Sequence, residues 1–138
     1  MTRRIRKDEN GAAVIEAALS LPILTVMIYG IFTLGQLFEA NAGMQHALGE
    51  AARYGNLCLN MSTTGVCTQA TDTQLSDKVT AKLFGTTNGT FDTPTIDSTT
   101  SASGYRTITL TYHQTMNFLL FTGPTITITR SKRVYTPS

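Results

Sequence analysis

Glu16 is a lone carboxylate at the edge of an apolar tract, followed by 22 residues, Ala17 to Phe38, without a charge. An ionisable group in a membrane-length helix is costly, by ~2.5 to 3.5 kcal/mol for Asp at the centre and less near an interface, so it points to a function. A cut after Gly11 would make Ala12 the N-terminus and Glu16 the fifth residue of the mature chain. An α-amino group has an ordinary pKa of ~7.7 to 8.0 and stays largely protonated near neutral pH. In a bundle of such helices the carboxylate of one subunit can neutralise the ammonium of its neighbour. A buried pair of this kind adds little net stability, but it penalises any axial register that leaves one charge unpaired. The plainer alternative places Glu16 among lipid headgroups.

Other chemistry is sparse. Cys58 and Cys67 are the only two cysteines, with Ser62-Thr63-Thr64-Gly65 between them. A disulfide suits an oxidising compartment and a small domain with a thin core. With only His46 and His113 as further soft ligands, the spacing of a zinc site is lacking, so no metal is expected. Nor is there a nucleophile motif or a glycine-rich phosphate cradle, and neither a catalytic residue nor a cofactor is expected. His46 reads as a polar-face helix residue and His113 as a solvent-facing strand residue. Asp72, Asp77, Asp92 and Asp97 read as cap, helix-surface and loop residues without evident pairing. Asn60-Met61-Ser62 and Asn88-Gly89-Thr90 fit a glycosylation pattern that is common by chance.

The element that must hold Glu16 is a long helix. At ~1.5 Å per residue, Ala17 to Phe38 covers the ~30 Å core of a bilayer with some tilt. Arg3, Arg4, Arg6 and Lys7 precede it, and basic flanks are retained on the cytoplasmic side, so the C-terminal part faces outward. A secretory signal peptide is the rival, with Ala40-Asn41-Ala42 as its cleavage pattern, but its apolar region is usually ~7 to 15 residues. The helix is expected to continue to about Leu57, because Leu37, Ala40, Met44, Ala47, Leu48, Ala51 and Tyr54 or Gly55 form one apolar stripe. Gly30, Gly35, Gly43 and Gly49 permit close approach of other helices. Pro22 removes a backbone donor and predicts a kink or an opened turn, which Ser20 can ease and which would make a fibre extensible.

The segment Gly11-Ala12-Ala13-Val14-Ile15-Glu16, preceded by Arg3-Arg4-Ile5-Arg6-Lys7-Asp8-Glu9-Asn10 and followed by Leu19-Ser20-Leu21-Pro22-Ile23-Leu24, resembles the N-terminal region of TadE-like pseudopilins of the tight-adherence pilus system. Gln45 to Gly55 is similar to the stretch where that family's helix leaves the membrane, and Tyr105 to His113 with Thr125 to Arg130 to its C-terminal hairpin. The resemblance implies that a prepilin peptidase cuts after Gly11, that Ala12 is the mature N-terminus, and that Glu16 is the acidic position of the motif. It also implies other pilins and pseudopilins, and an inner-membrane assembly platform, as partners. The fibre-forming pilins of the system have Tyr directly after the Glu and are very short. Here Ala17 follows and a head is present, which argues for a minor component.

Charge agrees with this. The chain has eleven basic and nine acidic residues; the leader to Gly11 holds four and two, leaving seven of each. A mature chain without net charge lacks the cluster that phosphate binding needs, so no nucleic acid is expected. Arg130, Lys132 and Arg133 form a local basic end that reads as a solvated terminus.

Beyond the long helix, a short one is expected over Thr73 to Phe84, capped by Thr71 or Asp72, with Leu75, Val79 and Leu83 on one face and Gly85 in the left-handed position after it. Thr86 to Gly104 reads as a loop with one short strand, an Asn88-Gly89 turn and Pro94 as a breaker. Tyr105 to His113 alternates, with Arg106, Ile108, Leu110 and Tyr112 on one face. Thr122-Gly123-Pro124 reads as the turn before Thr125 to Thr129. Four bulky residues in a row, Phe118 to Phe121, cannot all point inward and either lie under a loop or present an assembly contact.

The expected fold is α+β: a leader over 1–11, a long helix over 12–57 with a span of about 17–38, and an extracytoplasmic head over 58–138 closed by an antiparallel sheet. The expected location is the bacterial inner membrane, in a single pass, or the pilus. Three readings stand: a processed minor pilin, an uncut membrane scaffold, and a secreted domain released after Ala42.

Overall fold

A computed structural model describes residues 5–63, 65, 67–85, 88–97, 104–118 and 121–135, with the backbone alone for 5–10. Arg3 and Arg4 of the leader, Thr64, Thr86 and 98–103 of the threonine-rich loop, and Leu119 and Leu120 lie outside the described residues.

Helix α1 runs from Ile5 to Gly55, 51 residues and about 77 Å at the usual rise. It starts within the leader, ends two residues before the expected Leu57, and remains helical through Pro22. Its two halves differ. The first is bare: every residue from Gly11 to Thr25 is exposed, among them Val14, Leu19, Ile23 and Leu24. The second carries the head, and the expected stripe is its buried face: Ala40, Met44, Ala47, Leu48 and Ala51 are almost wholly covered, with Leu37 and Tyr54 packed at the margin. The side chains of this stripe are small because a second helix and a sheet lie against it.

That second helix, α2 (Asp72–Lys82), has Thr71 as N-cap: its hydroxyl accepts from the Gln74 amide, and the Gln74 side chain accepts from the Thr71 amide. This reciprocal arrangement satisfies two otherwise orphaned donors. Asp72 is thus the first helical residue and not the cap. Leu75 and Val79 enter the core, and Leu83 packs beside them. Gly85 adopts a φ of +87°, as expected, and a Cβ there would stand 2.8 Å from the Ala40 nitrogen. Its neighbour Phe84 places its carbonyl against Gly43, where any side chain would collide. Gly43 therefore serves the protein's own head, and a Cβ at Gly30 would stand 3.7 Å from the Phe118 ring; Gly35 and Gly49 are open. Two of the four glycines read as helix-packing sites are thus used within the chain.

The short strands β1 (Asn60–Met61) and β2 (Cys67–Thr68) pair antiparallel beside α1's end. The main sheet is built on β5 (Tyr105–Phe118). One of its edges pairs with β3 (Gly89–Phe91) and then β4 (Thr95–Asp97), the other with β6 (Phe121–Tyr135), all antiparallel. The loop expected to hold one strand holds two. Asn88-Gly89 is not a hairpin turn: Gly89 opens β3, and a Cβ there would run into the Tyr112 ring. The alternation of β5 is as read, with Ile108, Leu110, Tyr112 and Gln114 buried and Thr107, Thr109, Thr111 and His113 on the other face. The hairpin, however, turns earlier than expected. Phe118 already pairs with Phe121, and Thr122-Gly123-Pro124 lies within β6, opposite a bulge between Thr115 and Asn117. Pro124 is tolerated because β6 is an edge strand.

Candidate assembly site

The sheet and α2 grip α1 from Thr33 to Gly55 and leave the part with the expected chemistry free. Gly11, Ala12 and Glu16 are all exposed, and nothing in the head touches Gly11. Glu16 has no ion-pair partner among the described residues; its carbonyl accepts the Ser20 hydroxyl at 2.6 Å. Thr25 bonds back to the Leu21 carbonyl in the same way at 2.8 Å, and such back-bonding slightly bends a helix. Ser20 thus serves the turn before Pro22, and not the Ala18 carbonyl that Pro22 leaves unmatched. Ala17, Leu21, Leu24 and Met27 line one open apolar hollow along this half. A bare carboxylate on an apolar helix with one ridged side is a surface suited to other helices or lipid.

Cys58 and Cys67 form a disulfide with their Cα atoms 5.4 Å apart, closing the loop that carries β1 and β2. It ties the exit of α1 to the approach of α2. Among the described residues no group of three His, Cys, Asp or Glu side chains is placed to hold a metal.

Two aspartates read as unpaired have partners. Asp72 receives the Arg106 guanidinium at 2.7 Å, while the same Arg106 donates to the Ala70 carbonyl, fastening the start of β5 to that of α2. Asp92 lies 3.0 Å from His113 Nε2, and His113 Nδ1 lies 2.9 Å from the Thr127 hydroxyl. The order of acid, imidazole and hydroxyl is that of a nucleophilic triad, but both ionisable side chains are over a third exposed on the open sheet face. The threonine pairs Thr111–Thr129 and Thr115–Thr125 bracket it, so it is one rung of a cross-strand ladder. Counting back from the Phe118–Phe121 pair would set His113 opposite Ile126; the bulge between Thr115 and Asn117 shifts the register by one residue and brings Thr127 there, a contact that sequence spacing alone does not give.

The head's basic end is also engaged: Arg130 donates to Asn41 on α1, and the Arg133 guanidinium lies 4.7 Å from the Tyr105 ring centre. Near the middle of α1, Asn88 donates to Gln36, and Tyr29, Thr33, Gln114 and Asn117 enclose a polar cavity of about 50 Å³. Tyr112, whose hydroxyl donates to Gln114, has its pKa raised by burial and, secondarily, by the Glu39 carboxylate.

Residues 11–53 match the sequence family described as TadE-like protein. The match begins at Gly11, covers the bare half of α1 and most of its core-facing half, and leaves the rest of the head outside. No curated protein and no solved structure matches the chain. Through this helix, long and apolar enough to cross a membrane, the chain is similar to TadE-like proteins over about a third of its length.

Proposed function

We propose that the protein is a minor pilin or pseudopilin, cut between Gly11 and Ala12 by a prepilin peptidase, that helps start, cap or anchor a tight-adherence pilus used in surface attachment. The observation that carries this reading is the bare apolar half of α1 within the family match, with Glu16 as its single carboxylate. In the inner membrane this half spans the bilayer with the basic leader in the cytoplasm. On extraction it packs with other pilins, and Glu16 meets the free ammonium of a neighbour. The protein works as a building part and not as an enzyme. Release after Ala42 fits poorly, because it would strip Thr33, Gln36 and Ala40 from the head.

The test is the N-terminal residue of the protein isolated from membranes and from sheared pili. Ala12 is expected; Met1 would mean an uncut scaffold and Gly43 a secreted domain, and either overturns the reading. Glu16→Ala should leave cleavage intact and lower incorporation on the order of tenfold or more, since stranding a buried charge costs about 3 to 5 kcal/mol. Normal incorporation of that variant would remove the register role.

A further inference from the structure

The tip of the long hairpin lies at an unexpected height on α1. The Phe118 ring lies beside Gly30, where a Cβ would stand 3.7 Å from it, well inside the uncharged tract between Glu16 and Glu39. Its ring stacks on Phe121 at 4.8 Å, and Phe121 is 56% exposed. Leu119 and Leu120 stand between them in sequence, and no Asp, Glu, Lys or Arg occurs between Arg106 and Arg130. Tyr29 is partly covered at the same level, among Asn88, Thr115 and Asn117, where a phenol would mark a membrane interface.

A hydrocarbon core takes up about 20 helical residues. Counted from Ala12, it ends near Phe32, just past the level of the tip. Counted from Ala17, it ends near Gln36 and puts the tip ~9 Å below its edge. Both placements bring the tip to lipid. We propose that the end of the β5–β6 pair, at Phe118 and Phe121, inserts into the interfacial layer of the bilayer that α1 crosses, giving the head a second lipid contact. This rests on the membrane reading of α1. The tip continues the bare helix surface, and a contact of ~5 to 10 Å depth is typical of interfacial segments. The contact fixes the head's tilt while the protein waits in the membrane and must be broken when the protein enters a pilus.

The chain has no Trp, so single-tryptophan variants report depth directly. Full-length Phe121→Trp, Leu24→Trp and Tyr135→Trp are reconstituted in vesicles of phosphatidylethanolamine and phosphatidylglycerol. Quenching is read with lipids spin-labelled near the headgroup end of the acyl chain and with aqueous iodide. Phe121→Trp should lose most of its emission to the lipid label and little to iodide, while Tyr135→Trp does the reverse. Iodide quenching of Phe121→Trp overturns the proposal, and so does protection from both quenchers, which would mean a protein partner on the tip. Leu24→Trp separates the two claims. If it is quenched by lipid and Phe121→Trp is not, only the tip is wrong; if neither is, the span fails and takes the tip with it.

Discussion

Tyr112 shows what a single side chain controls in this head. It is fully buried, lies tilted against Phe91 with ring centres 4.7 Å apart, and bonds to Gln114. Burial, with Glu39 as the smaller cause, favours its neutral form. The folded head therefore holds this proton more tightly than the unfolded chain does. The stability it contributes is full below the ordinary tyrosine pKa of ~10 and is lost as pH rises above that through the raised folded value. Urea unfolding midpoints should fall above pH ~10, and the fall should be smaller in Tyr112→Phe. At neutral pH that variant should cost about 1 kcal/mol, because the buried Gln114 oxygen loses its donor. Little of this was legible in sequence: Tyr112 was placed on one face of its strand by alternation, but Phe91 comes from β3 and Glu39 from α1, and only Gln114 is a near neighbour on β5. The same holds for Asp72 and Asp92, whose partners lie 34 and 21 positions away.

Elements were readable where one period dominated. The apolar stripe of α1, the capped α2 and the alternation of β5 all rest on near neighbours, and each appears where the spacing put it. The turn of the hairpin was misplaced because Thr-Gly-Pro is a strong local signal, whereas Phe118 pairing with Phe121 is selected by the register of the whole sheet. Gly89 was misread likewise, since its lack of a side chain answers to a ring in another strand. At this scale the disulfide carries the clearest expectation. It closes a loop of nine positions between α1 and α2, beyond the reach of the main sheet. Replacing both cysteines, Cys58→Ser with Cys67→Ser, should lower head stability by ~2 to 4 kcal/mol, measured by denaturant unfolding, with α1 and the sheet unchanged.

As a whole the molecule is one helix shared by two environments. The first half of α1 meets no other element of the fold up to Thr25, and the second supplies six of the thirteen buried apolar core residues. A shortened chain beginning at Ile28 should fold and unfold cooperatively by circular dichroism. One beginning at Gly43 should lose that cooperativity, having discarded Thr33, Gln36, Leu37 and Ala40. The division between halves was visible as a change from unbroken apolarity to a stripe, but the height at which the head begins was not, since it depends on how far β5 descends along the helix. The unbroken course of α1 from Ile5 past Gly11 has a bearing on maturation. The bond between residues 11 and 12 is wound into a coil, and a protease that takes its substrate stretched out must first unravel about two turns at that end. Gly11, whose kind weakens a helix by ~1 kcal/mol relative to alanine, eases that unravelling, so under the proposed cleavage the melting of residues 5–11 would set the pace of processing.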